Sequence, residues 1–189
     1  MNTIAHVIVA CAALSRPQSP RQNLAVVAGA LVPDASMFVF FAWSRLNGWS
    51  GEETWNVRYW MEPWQIIGAI SNSFVLFAAL LALALWRKWT LIALASAAAL
   101  LHIVFDFPLH ADDAHRHFWP LSDWRFESPV SYWDPSANGL IGNAIETMIV
   151  IAATALLWRR FTGLKTRIVL ALLLALQVAM LIAWISWAR

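Results

Sequence analysis

The chain has 189 residues, of which 60% are hydrophobic and only 13% are charged. Water-soluble domains carry about 25% charged residues, so this composition excludes an ordinary soluble globular protein. The formal net charge of +2 at pH 7 is small and dispersed, and it does not predict a nucleic-acid partner.

The apolar runs predict an all-α fold, a polytopic transmembrane bundle of about five or six helices. The first run, Thr3–Leu14, is shorter than the roughly 20 residues that cross a bilayer as a helix, which predicts a partial or re-entrant helix. The longer runs cover about residues 23–43, 64–86, 89–106, 139–158 and 168–187. Pro33 and Asp34 are expected to interrupt the second run.

No flexible linker divides these runs, so residues 1–189 are expected to form a single integral membrane domain. Two long polar, Trp-rich segments join the runs on one side of the bundle. They cover about residues 44–63 and 109–138. Pro108 favours the end of the fourth helix at the start of the second of these loops.

The basic residues predict the orientation of the bundle, because cytoplasmic loops of membrane proteins are enriched in Lys and Arg. Three short connections hold basic residues and no acidic ones: Arg16, Arg21, Arg87, Lys88, Arg159, Arg160, Lys165 and Arg167. The opposite side holds Arg45, Arg58, Arg116, Arg125 and Arg189. We therefore expect a multi-pass protein of the bacterial inner (cytoplasmic) membrane, with both long loops and both termini extracytoplasmic.

Polar residues within the apolar runs are candidate functional residues, since an ionisable side chain at the bilayer centre costs about 2.5–3.5 kcal/mol on insertion scales. These residues are His6, Asp34, Asn72, His102, Asp106 and Glu146. With the expected orientation they all lie between the middle of the membrane and its outer surface. The sequence therefore predicts one polar site in that half of the bundle.

His102 and Asp106 are spaced i, i+4, so both side chains leave the same face of one helix. Pro108 then turns the chain and lets His110 return towards them. Mixed imidazole and carboxylate ligands suit Zn²⁺ or Mn²⁺, and either ion makes water a nucleophile near neutral pH. The alternative is a polar pair that bonds neighbouring helices.

The other polar groups also have structural alternatives. Asp34 could cap or kink its helix after Pro33, and Asn72 could hold neighbouring helices together. Glu146 could pair with Arg116 or Arg125 from the second long loop. His115, His117 and Asp123 lie in that loop, where a solvated side chain is the default.

Two runs carry a family resemblance: LHIVFDFPLH over residues 101–110 and HFWPLSDWRF over residues 117–126. They resemble the membrane-bound metal-dependent hydrolase family of small inner-membrane proteins, one of which is regulated by LexA. His6 and the Pro33-Asp34 pair fit the same pattern. DFPLHADD over residues 106–113 and SPVSYWD over residues 128–134 are similar to a bacterial subgroup sometimes labelled as cobalamin-biosynthesis proteins, a role to which no residue here points.

The family is in turn distantly similar to zinc-dependent phospholipase C, an all-helical phosphodiesterase. This resemblance implies that the metal ligands are His6, Asp34, His102, Asp106 and His110, with His117 and Glu146 as weaker candidates. One departure stands out. Where the family has an Arg-x-x-Thr-His-Ser stretch leading its third helix, this chain has Ile70, Ser71, Asn72 and Ser73, which removes an expected histidine ligand.

The expected function is a metal-dependent hydrolase with one or two divalent ions, acting on a phosphoester of a membrane lipid or a lipid-linked substrate. Asp112, Asp113 or Glu146 would serve as the base, and Arg116 or Arg125 would hold phosphate. The alternative is a non-catalytic accessory, cation- or cofactor-binding, or transport-associated membrane protein. A protein partner or a homo-oligomer is compatible with either function.

Overall fold

The computed structural model describes residues 1–188 and is helical along most of them. Arg189, assigned above to the extracytoplasmic side, lies outside the described residues. In chain order the helices are α1 (Thr3–Leu14), α2 (Pro20–Leu46), α3 (Gly51–Glu53), α4 (Glu62–Ser71), α5 (Phe74–Trp86), α6 (Thr90–Asp106), α7 (Gly139–Arg160) and α8 (Leu164–Trp187). A π-helical turn covers Thr54–Arg58, and 3-10 turns cover Phe107–Leu109 and Pro135–Ala137. The predicted all-α fold is confirmed.

Within residues 1–188, five segments are long and apolar enough to cross a membrane: Pro20–Leu46, Glu62–Trp86, Thr90–Leu109, Gly139–Arg160 and Leu164–Trp187. Their outward faces are apolar. Phe38, Leu172 and Ile182, for example, are more than half exposed. Such a surface is unfavourable in water and suits the hydrocarbon core of a bilayer. The five segments therefore indicate a multi-pass membrane protein.

The short helix α1 lies in the centre of the bundle, where it packs against α2, α6, α7 and α8. Its 12 residues span about 18 Å, well short of the ~30 Å of a bilayer core. Ala5, Ile8 and Ala10 are almost completely buried against these neighbours. The helix thus brings its polar first turn into the interior of the bundle.

Helix α2 does not end at Pro33, contrary to the interruption predicted from the sequence. It continues from Pro20 to Leu46 with Pro33 buried inside it. The third apolar run, predicted as one helix, instead divides into α4 and α5 at Asn72 and Ser73. Ser73 caps the first turn of α5, and the Asn72 amide donates to the carbonyls of Pro33 and Gly68.

The second long loop folds back over the end of α6. The backbone N–H of Ser128 donates to the His110 carbonyl at 2.8 Å, and that of Tyr132 donates to the Leu109 carbonyl at 3.1 Å. The side chain of Asn143, on α7, donates to the carbonyl of Tyr132. These bonds hold residues 109–138 against the bundle and place Tyr132 and His110 at its interior.

Candidate metal centre

Three side chains from two helices form the centre of the site. His6 comes from α1, while His102 and Asp106 come from successive turns of α6, and each is at most 3% exposed. One donor atom of each residue lies within 4.8 Å of the donor atoms of the other two. The rings of His6 and His102 stack with their centroids 3.4 Å apart and an interplanar angle of 7°. This group could hold a metal ion.

His102 is oriented by the backbone of α2. Its Nδ1–H donates to the carbonyl of Ala30 at 2.7 Å, because a carbonyl oxygen can only accept. The other ring nitrogen, Nε2, is left to face the interior of the site. Histidine ligands of metals typically donate their other ring N–H to a carbonyl or carboxylate in this way.

His102 Nε2 faces two carboxylates. It lies 3.5 Å from Asp34 Oδ1 and 3.8 Å from Asp106 Oδ2. It is buried and has no hydrogen-bond partner within residues 1–188. Ligands bound to zinc at 2.0–2.2 Å in a tetrahedron are separated by about 3.3–3.6 Å. The distance to Asp34 falls within this range, and the distance to Asp106 exceeds it by 0.2 Å.

Asp106 is the hub of the polar network. Oδ1 accepts from the α-amino group of Met1 and lies 3.2 Å from His6 Nε2, while Oδ2 lies 2.9 Å from His110 Nε2. The 3-10 turn Phe107–Leu109 directly after α6 reverses the chain and brings His110 back to Asp106, as the Pro108 position predicts. Asp34 is held separately, because the hydroxyl of Thr3 donates to its Oδ2.

His110 bridges two carboxylates, with Nε2 on Asp106 and Nδ1 2.8 Å from Asp113 Oδ2. Burial by itself lowers the pKa of the His110 ring, but the two carboxylates outweigh it and raise the pKa to about 10. The neighbouring His115 has no such partner, and burial together with the nearby His110 lowers its pKa to about 3. His110 is therefore an imidazolium in this arrangement and His115 is neutral.

A polar cavity adjoins the group. Its lining includes Asp34, Asp106, His110, Asp113, His115, Tyr59 and Tyr132, together with Phe40 and Trp64 on the apolar side. The cavity has a volume of about 50 Å³. One buried water needs roughly 10–15 Å³, so the space suits a few waters or one small polar group.

Both tyrosines of the chain line this cavity, although the chain also has 13 tryptophans and 10 phenylalanines. Burial raises the pKa of Tyr59 to about 12, and burial together with Asp106 raises the pKa of Tyr132 well above its usual value. Both phenols stay protonated and can donate hydrogen bonds. Sequence reasoning missed them, but the scarcity of tyrosine in so aromatic a chain was an available signal.

Several residues expected at the site lie elsewhere. Arg116 pairs with Glu62 at 2.8 Å and with Asp123 at 3.2 Å, while Arg125 donates to the Ala114 carbonyl and to Gln65. These residues do not line the polar cavity.

Two further candidates, Asp112 and His117, do not line the polar cavity either, whereas Asp113 does. Asp112 is exposed to solvent. His117 is buried, and its Nδ1–H donates to the carbonyl of Asn72 at 2.9 Å, at the break between α4 and α5. Asn72 thus provides the helix-packing contact considered for it, and its loop partner His117 is part of the same contact.

Glu146 does not pair with Arg116 or Arg125, the alternative considered from the sequence. It is 1% exposed, accepts from Gln177 Nε2 at 2.9 Å and is bonded by both the side chain and the backbone of Asn2. Gln177, on α8, is equally buried. Sequence reasoning missed Asn2 and Gln177, because an amide in a long apolar run gives a weak signal.

Known proteins offer no guide to the function of this site, which must be argued from the contacts described above. No family model matches the chain, and no curated protein or solved structure is significantly similar to it.

Proposed function

We propose that this protein is a metal-dependent hydrolase that cleaves a phosphoester of a membrane lipid or lipid-linked substrate at the outer face of the bacterial inner membrane. The observation that carries the proposal is the convergence of His102 Nε2, buried without a hydrogen bond in the described part of the chain, on the carboxylates of Asp34 and Asp106. A metal ion between these atoms would be held by the ring nitrogen and the two carboxylates together.

His6, His102 and Asp106 would hold the ion, with Asp34 as a further ligand. Zinc and manganese both suit this donor set. Such an ion polarises a phosphoryl group and promotes the ionisation of water. The remaining residues would bind the substrate and move protons.

Asp113 is the best placed of the three proposed bases. It lines the cavity, and its Oδ1 is buried without a hydrogen-bond partner in the described part of the chain. In the proposed step, the oxygen of water bonds to phosphorus and its proton passes to Asp113. The ester bond between phosphorus and the leaving oxygen breaks, and that oxygen takes the electron pair.

The tyrosines replace the arginines expected to hold phosphate. Tyr59 and Tyr132 line the cavity as protonated phenols, so each can donate a hydrogen bond to a phosphoryl oxygen. Asp106 and Asp113 keep the His110 imidazolium at the same wall, where it adds positive charge.

The first test is the metal content of the detergent-purified protein by elemental mass spectrometry, before and after loading with zinc or manganese. Near-stoichiometric metal is expected in the wild type and in the control Asp112→Asn, and loss is expected in Asp106→Asn and His102→Ala. Loaded wild-type protein should then cleave a phosphodiester that Asp106→Asn leaves intact. Failure to bind metal, or binding without cleavage of any phosphoester, would overturn the hydrolase proposal.

A specific observation favours a second function, a non-catalytic cation- or cofactor-binding membrane protein. Among residues 1–188, the cavity is lined by no lysine or arginine, and Ser71, Asn72 and Ser73 stand where the resembled family has a histidine. This function predicts metal binding that depends on Asp106 but no turnover of phosphoesters.

A further inference from the structure

A second cleft adjoins the polar cavity on the side that faces the membrane. Its lining includes Ile4 of α1, Met37 and Phe38 of α2, Met180 of α8, and the side chains of Asp34 and Tyr132. Its volume is about 350 Å³, against about 50 Å³ for the polar cavity. This lateral cleft is therefore the larger of the two spaces.

The two spaces share a wall of three residues. Asp34, Met37 and Tyr132 line both the polar cavity and the lateral cleft. Asp34 is only 14% exposed in its side chain, with Oδ1 towards His102 and Oδ2 bonded to Thr3. Asp34 thus lies between the group of metal-type ligands and the mainly apolar lateral cleft.

The lateral cleft opens through the surface of membrane-spanning helices. Phe38 and Met180 are 51% and 41% exposed, and they belong to the segments Pro20–Leu46 and Leu164–Trp187. Hydrocarbon chains surround such helices in a bilayer, so the cleft offers lipid a path that avoids water. Methionine is also suited to this position, because its flexible thioether adapts to chains of variable shape.

We propose that the site takes an amphiphile from within the membrane, with its phosphate-bearing head in the polar cavity and a hydrocarbon chain in the lateral cleft beside Phe38 and Met180. This inference rests on the proposed function for the identity of the head group. The polar cavity is too small for a whole lipid, whereas the lateral cleft adds apolar volume next to the same ligands. The carboxylates of Asp34 and Asp106 would repel an anionic head, so binding requires the metal-loaded protein.

The chain position is tested with a phospholipid that carries a diazirine in one acyl chain, added to metal-loaded protein and activated by light. Mass spectrometry should find labelling at Phe38 and Met180 about tenfold above that at Ile182, the scale of discrimination of an apolar pocket. Ile182 is 59% exposed, lies at nearly the same depth on α8 as Met180 and does not line the lateral cleft. Even labelling along α8 indicates ordinary boundary lipid and overturns the proposal.

Variants that fill the cleft separate this inference from the hydrolase proposal. Met180→Trp and Phe38→Trp should reduce labelling and the cleavage of a long-chain phospholipid about tenfold, the cost of a misfit in an apolar pocket. Cleavage of glycerophosphocholine, a soluble diester without acyl chains, should stay at the wild-type rate. Ile182→Trp, two residues from Met180 and outside the cleft, is the matched control and should change neither reaction.

The two experiments distinguish failure of the lateral-cleft proposal from failure of the hydrolase proposal. Selective labelling without turnover of either substrate supports the lateral cleft and overturns the hydrolase. Turnover of the soluble diester with labelling that is insensitive to both tryptophan variants supports the hydrolase and overturns the lateral cleft. Equal loss of both reactions in the two variants also overturns the lateral cleft, because it shows that the substitutions act on the metal centre.

Discussion

At His102, the backbone fixes one ring nitrogen and leaves the other facing carboxylates. The bond from Nδ1 to the Ala30 carbonyl crosses from α6 to α2, so the tautomer of this ring depends on the packing of those two helices. Buried polar atoms in native proteins nearly always have a partner. His102 Nε2 is buried, faces two carboxylates and has no hydrogen bond among residues 1–188. It is therefore a stronger indication of a ligand site than the number of histidines in the sequence.

Metal binding should stabilise the fold by mass action. At a free metal concentration 100 times the dissociation constant, the free energy of unfolding should rise by about 2.7 kcal/mol. Thermal unfolding in detergent, with and without zinc, measures the change. His102→Ala should abolish it, whereas Asp112→Asn should retain it. An equal shift in both variants would assign the stabilisation to metal bound elsewhere.

Tyr132→Phe should lower kcat and leave the metal content unchanged. The substitution removes one hydroxyl from the wall shared by both cavities but keeps the ring that packs edge-on against His110, 5.4 Å between centroids. Loss of a preorganised donor typically costs about 100-fold in rate. Steady-state kinetics on a phosphodiester measure the effect, and an unchanged kcat would remove Tyr132 from the mechanism.

Glu146→Gln should preserve activity, because Glu146 is enclosed by Asn2 and Gln177 and does not line the polar cavity. A glutamine can still accept from the Gln177 amide. Gln177→Leu should instead lower the free energy of unfolding by about 1–3 kcal/mol, since it leaves a buried carboxylate short of a donor. Chemical denaturation and activity assays separate the two effects, and lost turnover in Glu146→Gln would restore this residue as the base.

Among the helices, α2 and α6 position the site because they approach each other closely at Gly29. A Cβ atom there would lie 2.1 Å from the carbonyl oxygen of Ala95, a distance that requires the backbones to separate. The adjacent Ala30 carbonyl accepts from His102. A single glycine thus links helix packing to the orientation of a candidate ligand.

Gly29→Ala should therefore lower both thermal stability and metal occupancy, with a stability cost of about 1–3 kcal/mol for overpacking. The matched control is Gly51→Ala, because a Cβ at Gly51 meets nothing within 4 Å. Thermal unfolding and elemental analysis of both variants provide the measurement. Normal metal content in Gly29→Ala would show that the ligands tolerate separation of the helices.

The parts of the site predictable from the sequence are the local ones. His102 and Asp106 share a helix face by their spacing, and Pro108 indicates the turn that returns His110. The break at Asn72 and the continuation of α2 through Pro33 depend on contacts between distant segments. The engagement of Arg116 and Arg125 with other partners likewise has no local signature.

For the whole molecule, the positive-inside pattern makes a topological prediction that the helices alone do not decide. In a Cys11→Ala background, Glu52→Cys and Asp123→Cys should react with a membrane-impermeant maleimide on intact spheroplasts, because both lie in the predicted extracytoplasmic loops. Lys165→Cys should react only after permeabilisation. Mass shifts of the purified protein measure the labelling. The reverse pattern would show that the bundle has the opposite orientation in the membrane.

The position of α1 has an electrostatic consequence for folding. Its first turn meets three acidic side chains: the backbone N–H of Asn2 points to Glu146 at 3.3 Å, Thr3 bonds Asp34, and His6 contacts Asp106. A helix begins with about half a positive charge from its unpaired N–H groups. That partial charge, together with the α-amino group of Met1 on Asp106, offsets part of the mutual repulsion of the carboxylates. Burying the start of α1 therefore lowers the electrostatic cost of gathering three acidic side chains inside the bundle.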